Sequence, residues 1–194
     1  RSPSRGLGDV YKRQLLSEAV QIDTTVGDNI PDTDDWAEYW DSIFSPFADW
    51  IQTSFPHMHD TASPVRRELV NKHGLLYTWP GSDPTLKPIV LMSHQDVVPV
   101  ANETLDQWIH PPFSGHIDIE NQTVWGRGSV DCKLWLVSTI SAVETLVKSD
   151  FKPKRTIILS IGHDEESDGK HGAQHLSAEL EKRFGRGGIG MIVD

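Results

Sequence analysis

The 194-residue sequence holds a single cysteine, Cys132, and so cannot build an intrachain disulfide framework. No stretch approaches the roughly 20 consecutive apolar residues that a membrane-spanning helix requires. Basic charge is scarce: 18 Lys and Arg stand against 28 Asp and Glu, a net charge of −10. That balance argues against a nucleic-acid or anionic-membrane partner, since both call for a basic face. Internal repeats and low-complexity segments are absent too, which sets aside solenoids and tails. What is present, 37% hydrophobic with 7 Trp, suffices for one core of ordinary domain size.

Residues 1–14 lack apolar periodicity and a signal-peptide core. The string resembles a translated sequencing-adapter artefact and is excluded from fold reasoning, leaving 15–194 as the natural sequence. Both ends are expected to be incomplete. From Asp34-Asp35-Trp36 to about Ser54, Trp36, Trp40, Phe44, Phe47 and Ile51 recur at helical spacing, predicting a core-facing stripe that Pro56 ends. Leu75–Trp79 and Ile89–Met92 read as strands separated by a Pro-Gly-Ser-Asp-Pro turn. Ile117–Ile119 and Thr123–Trp125 read as a hairpin-like pair, Leu134–Leu146 as an apolar helix and Thr156–Ile161 as a buried parallel strand. Gly172–Phe184 reads as a further helix and Ile189–Val193 as a last strand. Alternation of this kind predicts an α/β fold, a mostly parallel sheet flanked by helices.

Chemistry-bearing residues gather where these strands end, the place open α/β sheets put their sites. His94 and Asp96 lie in Ser93-His94-Gln95-Asp96, Asp131 follows a Gly-rich turn, and Glu165-Glu166 follows the buried strand. A metal-activated hydrolase needs imidazole and carboxylate ligands, an open position for water and a base. His94 and Asp96 are too close in sequence to chelate one ion comfortably, and that spacing suits Asp96 as the group that orients the ring. Asp131, at a helix start, is placed to bridge two cations. Glu165 and Glu166 point to opposite sides if extended, one to a metal and one to substrate. Asp194 closes a β-rich run and is a further candidate ligand. Each signal alone has a plainer reading: a capping Asp, a solvated Glu pair, a chance His-x-Asp. Cys132 reads as a structural thiol and His171 and His175, without a Glu of the His-Glu-x-x-His kind, as surface residues. Asn102 and Asn121 begin N-glycosylation sequons, weak by themselves.

Leu91 to Val100, Pro111 to His116, Trp125 to Lys133, Phe151 to Ile157, Asp164-Glu165-Glu166 and Ile192-Val193-Asp194 together resemble the fungal vacuolar carboxypeptidase S, or Gly-X carboxypeptidase, family within the aminoacylase-type dizinc metallopeptidases. The similarity covers about Val20 to Asp194. It implies a zinc-exopeptidase-like catalytic domain, of which 15–194 is the N-terminal part, cut before a lid or dimerisation domain. It further implies that His94 and Asp194 share one zinc, that Glu166 binds a second, and that Asp131 bridges both. Glu165 is then the general base and Asp96 orients His94. A cis peptide is expected at Asp131-Cys132. The implied reaction removes C-terminal residues from short peptides such as Gly-X by metal-activated water. An N-acyl amino acid hydrolase, and a non-catalytic scaffold relative, are the alternatives. A vacuolar or secretory lumen and glycosylation at Asn102 and Asn121 would follow, as would a homodimer formed through the lid. One departure stands out: Leu134-Trp135 occupies positions where related enzymes carry small or polar residues. The resemblance also implies a final His ligand beyond Asp194, and without it this chain alone is expected to be inactive.

Overall fold

The computed structural model describes residues 3–27 and 36–194, with side chains described from 10 to 27 and from 38 onward. The first helix, α1, runs Pro3–Gln21, and its burial begins at Leu15, with Leu16, Ala19 and Val20 following on one face. Helix α2, Trp36–Ser54, buries Trp40, Phe44, Phe47 and Ile51, as the helical spacing predicts. Asp34 and Asp35, expected at its start, lie outside the described residues, as does the side chain of Trp36. Pro46 sits inside this helix, and a short helix, α3, Pro56–His59, follows it.

Five strands form the main sheet: β1 Arg66–Val70, β2 Gly74–Trp79, β3 Ile89–His94, β6 Ile157–Gly162 and β7 Met191–Val193. Their order is β1-β2-β6-β3-β7. The expected parallel sheet is the half made of β6, β3 and β7; β1 and β2 add antiparallel pairings to it. A separate hairpin pairs β4, His116–Asp118, with β5, Thr123–Trp125. Helices α4, Lys133–Lys148, and α5, Ala173–Phe184, complete the described elements.

Strand β1 was not legible in the sequence. Arg66-Arg67-Glu68-Leu69-Val70 is an edge strand, and charged residues on an edge discourage pairing with other chains. Glu68 instead receives Arg183 of α5 at 2.7 Å. Strand β6 sits between β2 and β3 and is buried along nearly its whole length. Because successive side chains alternate faces, Leu159 and Ile161 enter the core with α1, α2 and α4. Ile158 turns the other way to meet Val90, Leu176 and Leu180 under α5. Two apolar layers thus clamp β6 and β3, and their carboxyl ends emerge together.

Candidate metal centre

His94 is the last residue of β3 and is nearly buried, with its ring held from both sides. Its Nδ1 lies 3.0 Å from the main-chain oxygen of Asp96 and 3.4 Å from Asp96 Oδ1. Its Nε2 faces outward, 3.0 Å from Asp131 Oδ1 and 3.8 Å from Glu165 Oε2. Asp96 is fully buried, and its Oδ2 accepts the main-chain N–H of Glu166 at 2.8 Å. One carboxylate therefore touches the imidazole with one oxygen and the Glu165-Glu166 turn with the other.

That turn departs from the extended geometry read from the sequence. Glu165–Ser167 is a 3₁₀ turn, and ligand-capable atoms of both Glu165 and Glu166 lie within 4.8 Å of one another and of His94. The cause is Asp164, fully buried, whose carboxylate accepts the N–H groups of His171 and Gly172 at 2.6 and 2.8 Å. Drawing residue 172 back to residue 164 curls the intervening chain. Asp164 shows no role in the sequence, because its partners are main-chain groups that no motif displays.

Asp131 arrives on the Gly126–Ser129 turn. Gly128 adopts φ +76°, and a Cβ there would overlap Val97, so both its backbone and its surroundings require glycine. The Asp131-Cys132 peptide is cis, as the resemblance implied. Cys132 is half-buried, and its Sγ accepts the main-chain N–H of His94 at 3.1 Å. The thiol also falls with His94 and Asp131 in a second group of closely spaced donors. Asp194 follows β7 and is exposed; it belongs to neither donor group among the described residues.

Electrostatics single out the same atoms. Burial opposes a charge on His94, yet hydrogen bonds to Asp96 and Cys132 and the charges of both outweigh it, raising the pKa to about 12. Burial raises the Glu166 carboxyl, His94 pulls it down, and Asp131, Asp96 and Glu165 push it further up. Mutual repulsion of this kind is relieved by a proton or a cation. Imidazole and carboxylate oxygen are the donors zinc and its neighbours take, and here they converge on the Nε2 side of the ring. The residues present fit a divalent cation.

Other residues frame the cluster. Lys133 is fully buried; its Nζ donates to Ala19 and Ile22 carbonyls at 2.9 and 2.7 Å and lies over the Phe47 ring. Burial lowers its pKa to about 7. Trp135 donates its indole N–H to Met92 O at 2.6 Å, a carbonyl beyond the three residues of β3 that β7 pairs. His163 is buried among Trp40, Phe44 and His73, whereas His175 is exposed and His171 half-buried. Asn102 opens an exposed 3₁₀ turn, and Asn121 sits in the β4–β5 turn bonded to Asp118. None of these could be read from spacing, except the two sequons.

An α/β domain with an imidazole and carboxylates converging at the carboxyl ends of parallel strands defines the class, a fold that carries a candidate cation site. Residues 90–194 match the pattern of peptidase family M20/M25/M40, and the chain belongs to that family. It is 49% identical over 181 residues to carboxypeptidase S of Saccharomyces cerevisiae, covering 93% of this chain and 31% of that protein. To the mouse N-fatty-acyl-amino acid synthase/hydrolase it is 41% identical over 172 residues, 88% of this chain and 31% of the other. The chain thus spans under a third of the length of these relatives. In fold it resembles human carnosine dipeptidase 1, with a TM-score of 0.68 at 19% identity, over 96% of this chain and 38% of that one. A metallo-carboxypeptidase of the same family from Sulfolobus solfataricus gives 0.65 at 16% identity, over 94% of this chain and 36% of that one.

Proposed function

We propose that residues 15–194 are the N-terminal part of the catalytic domain of a zinc-dependent exopeptidase, a carboxypeptidase that removes C-terminal residues from short peptides such as Gly-X. The observation that carries this reading is that two groups of closely spaced donors, His94 with Asp131 and His94 with Glu165 and Glu166, meet at the His94 ring. The similarity to carboxypeptidase S supports the choice of reaction. His94, Asp131 and Glu166 would hold the metal, with Asp194 joining them in the complete protein, which would carry two zinc ions. When bound, such ions supply Lewis acidity that acidifies water and polarises the scissile carbonyl.

The remaining roles belong to the chain. Asp96 holds the His94 ring through Nδ1 and so aims Nε2 outward. Glu165, more than half exposed, can reach a water molecule, take its proton and return that proton to the leaving amine. The likeness to a fatty-acyl amino acid hydrolase favours a second reading, in which the amide cleaved is that of an N-acyl amino acid. A vacuolar or secretory compartment, glycans on the exposed Asn102 and Asn121, and a homodimer formed through a lid domain belong to the same proposal.

The test has two parts. Metal-stripped chain is equilibrated with zinc, desalted and assayed for bound metal, alongside Asp131→Asn and His94→Ala. Zinc retained by the wild type and lost in both variants is expected; equal retention in all three would sink the site. The full-length protein is then offered blocked Gly-Leu and N-acyl-leucine, and faster release of leucine from the acyl substrate would favour the second reading.

A further inference from the structure

Gln95 stands between His94 and Asp96, and its side chain is fully buried. Its Nε2 donates to the Gly162 carbonyl at 3.1 Å and to the His73 carbonyl at 2.8 Å. Its main-chain N–H also donates to Gly162 O, at 3.0 Å. Its own carbonyl accepts the Thr24 hydroxyl at 2.7 Å. In the order β2-β6-β3, this one amide crosses the end of β6 and reaches the residue just before β2. Two carbonyl acceptors fix which end of the amide is nitrogen. Its Oε1 is left buried without a hydrogen-bond partner, a cost that an apolar side chain of the same shape would avoid. Packing alone therefore does not account for an amide here.

Position accounts for it. Gly162 ends β6 and precedes Glu165 by three residues, while Gln95 directly follows His94. Two N–H bonds from Gln95 to Gly162 O thus hold the strand end that carries the imidazole against the strand end that leads into the carboxylates, and the third ties both to the start of β2. The β3–β6 ladder ends at the pair His94 and Gly162, and past that point the Glu166 N–H on Asp96 is a further main-chain tie between the two halves. We infer that Gln95 is a positioning residue that keeps the His94 and Glu165-Glu166 halves of the donor set in register, acting through the main chain and touching no ligand. The inference rests on reading this cluster as a metal site.

Gln95→Met keeps the shape and removes both side-chain donors. Ile158→Val, a core cut in the middle of β6, serves as the control for a merely structural loss. The first readout needs no metal: amide hydrogen exchange at Glu166, compared at temperatures equally far below each variant's midpoint. Gln95→Met should speed exchange at Glu166 by about tenfold, the worth of one hydrogen bond, while Leu159 exchanges as in the control. The second readout is the visible spectrum of bound cobalt(II), which should shift in Gln95→Met and not in Ile158→Val. Should Gln95→Met fail to fold, Gln95→Asn, one methylene too short to span both carbonyls, takes its place. Glu166 exchange no faster than in the control would overturn the inference. If the wild type takes up no cobalt while Glu166 exchange still responds, the metal reading fails and the positioning role stands.

Discussion

Asp96 and Asp164 lie fully buried behind the site and accept main-chain N–H groups, one from Glu166 and two from His171 and Gly172. A few ångströms further out, the side chains of Asp131 and Glu165 are 76% and 59% exposed and accept no main-chain N–H among the described residues. The inner carboxylates are spent on the fold, because a desolvated carboxylate persists only where donors replace water. The outer ones keep their charge available. The same residue type thus does two jobs, separated by what sits opposite each oxygen, and only the outer layer is free to answer a cation.

The comparison breaks most visibly at Asp164. Asp164→Ala would orphan two main-chain donors and should cost about 3 kcal/mol in urea unfolding; because it also frees the Glu165-Glu166 curl, the variant should gain less from added zinc than the wild type. Next in size, saturating zinc should stabilise the wild type by about 2.7 kcal/mol at a hundredfold excess over Kd, read as a shifted unfolding midpoint; Asp131→Asn should lose that gain. A third effect concerns the inner layer's neighbour. Burial, then His73, hold the His163 pKa down at about 3, against 6.5 ordinarily. Between those values the unfolded chain binds the extra proton, so stability falls as pH drops from 6.5 toward 3. Asp164 and Glu166, with raised carboxyls, contribute the opposite slope. His163→Phe should therefore flatten the acid limb by about 2 kcal/mol between pH 6.5 and 4.5, measured by urea titrations across that range. Smallest of all, Asp131→Asn should move metal-free stability by less than about 1 kcal/mol, since an exposed pair contributes little. A loss above about 2 kcal/mol would mean that Asp131, too, is structural.

Much of the frame was legible from periodicity. Helical spacing located the buried face of α2, and a continuous β-rich run located β6 as a buried strand. Strand β1 escaped because an edge strand guarded by Arg66, Arg67 and Glu68 shows no apolar alternation. Strand order escaped because β6 inserts between elements that are neighbours in sequence. At the site, His94, Asp131, Glu165 and Glu166 were legible as side chains with recognisable chemistry. Gln95, Lys133 and Asp164 were not, because each acts on carbonyls or N–H groups, which every residue carries. The extended reading of Glu165-Glu166 failed for that reason: its curl is set by Asp164.

Lys133 binds carbonyls 114 and 111 residues earlier in the chain. An ammonium leaves water only when such acceptors are already in place. The segment that follows Asp131 therefore settles only together with the end of α1, and a change there is felt at Asp131 although more than a hundred residues of chain lie between them. The opening helix is ground on which that outer carboxylate stands.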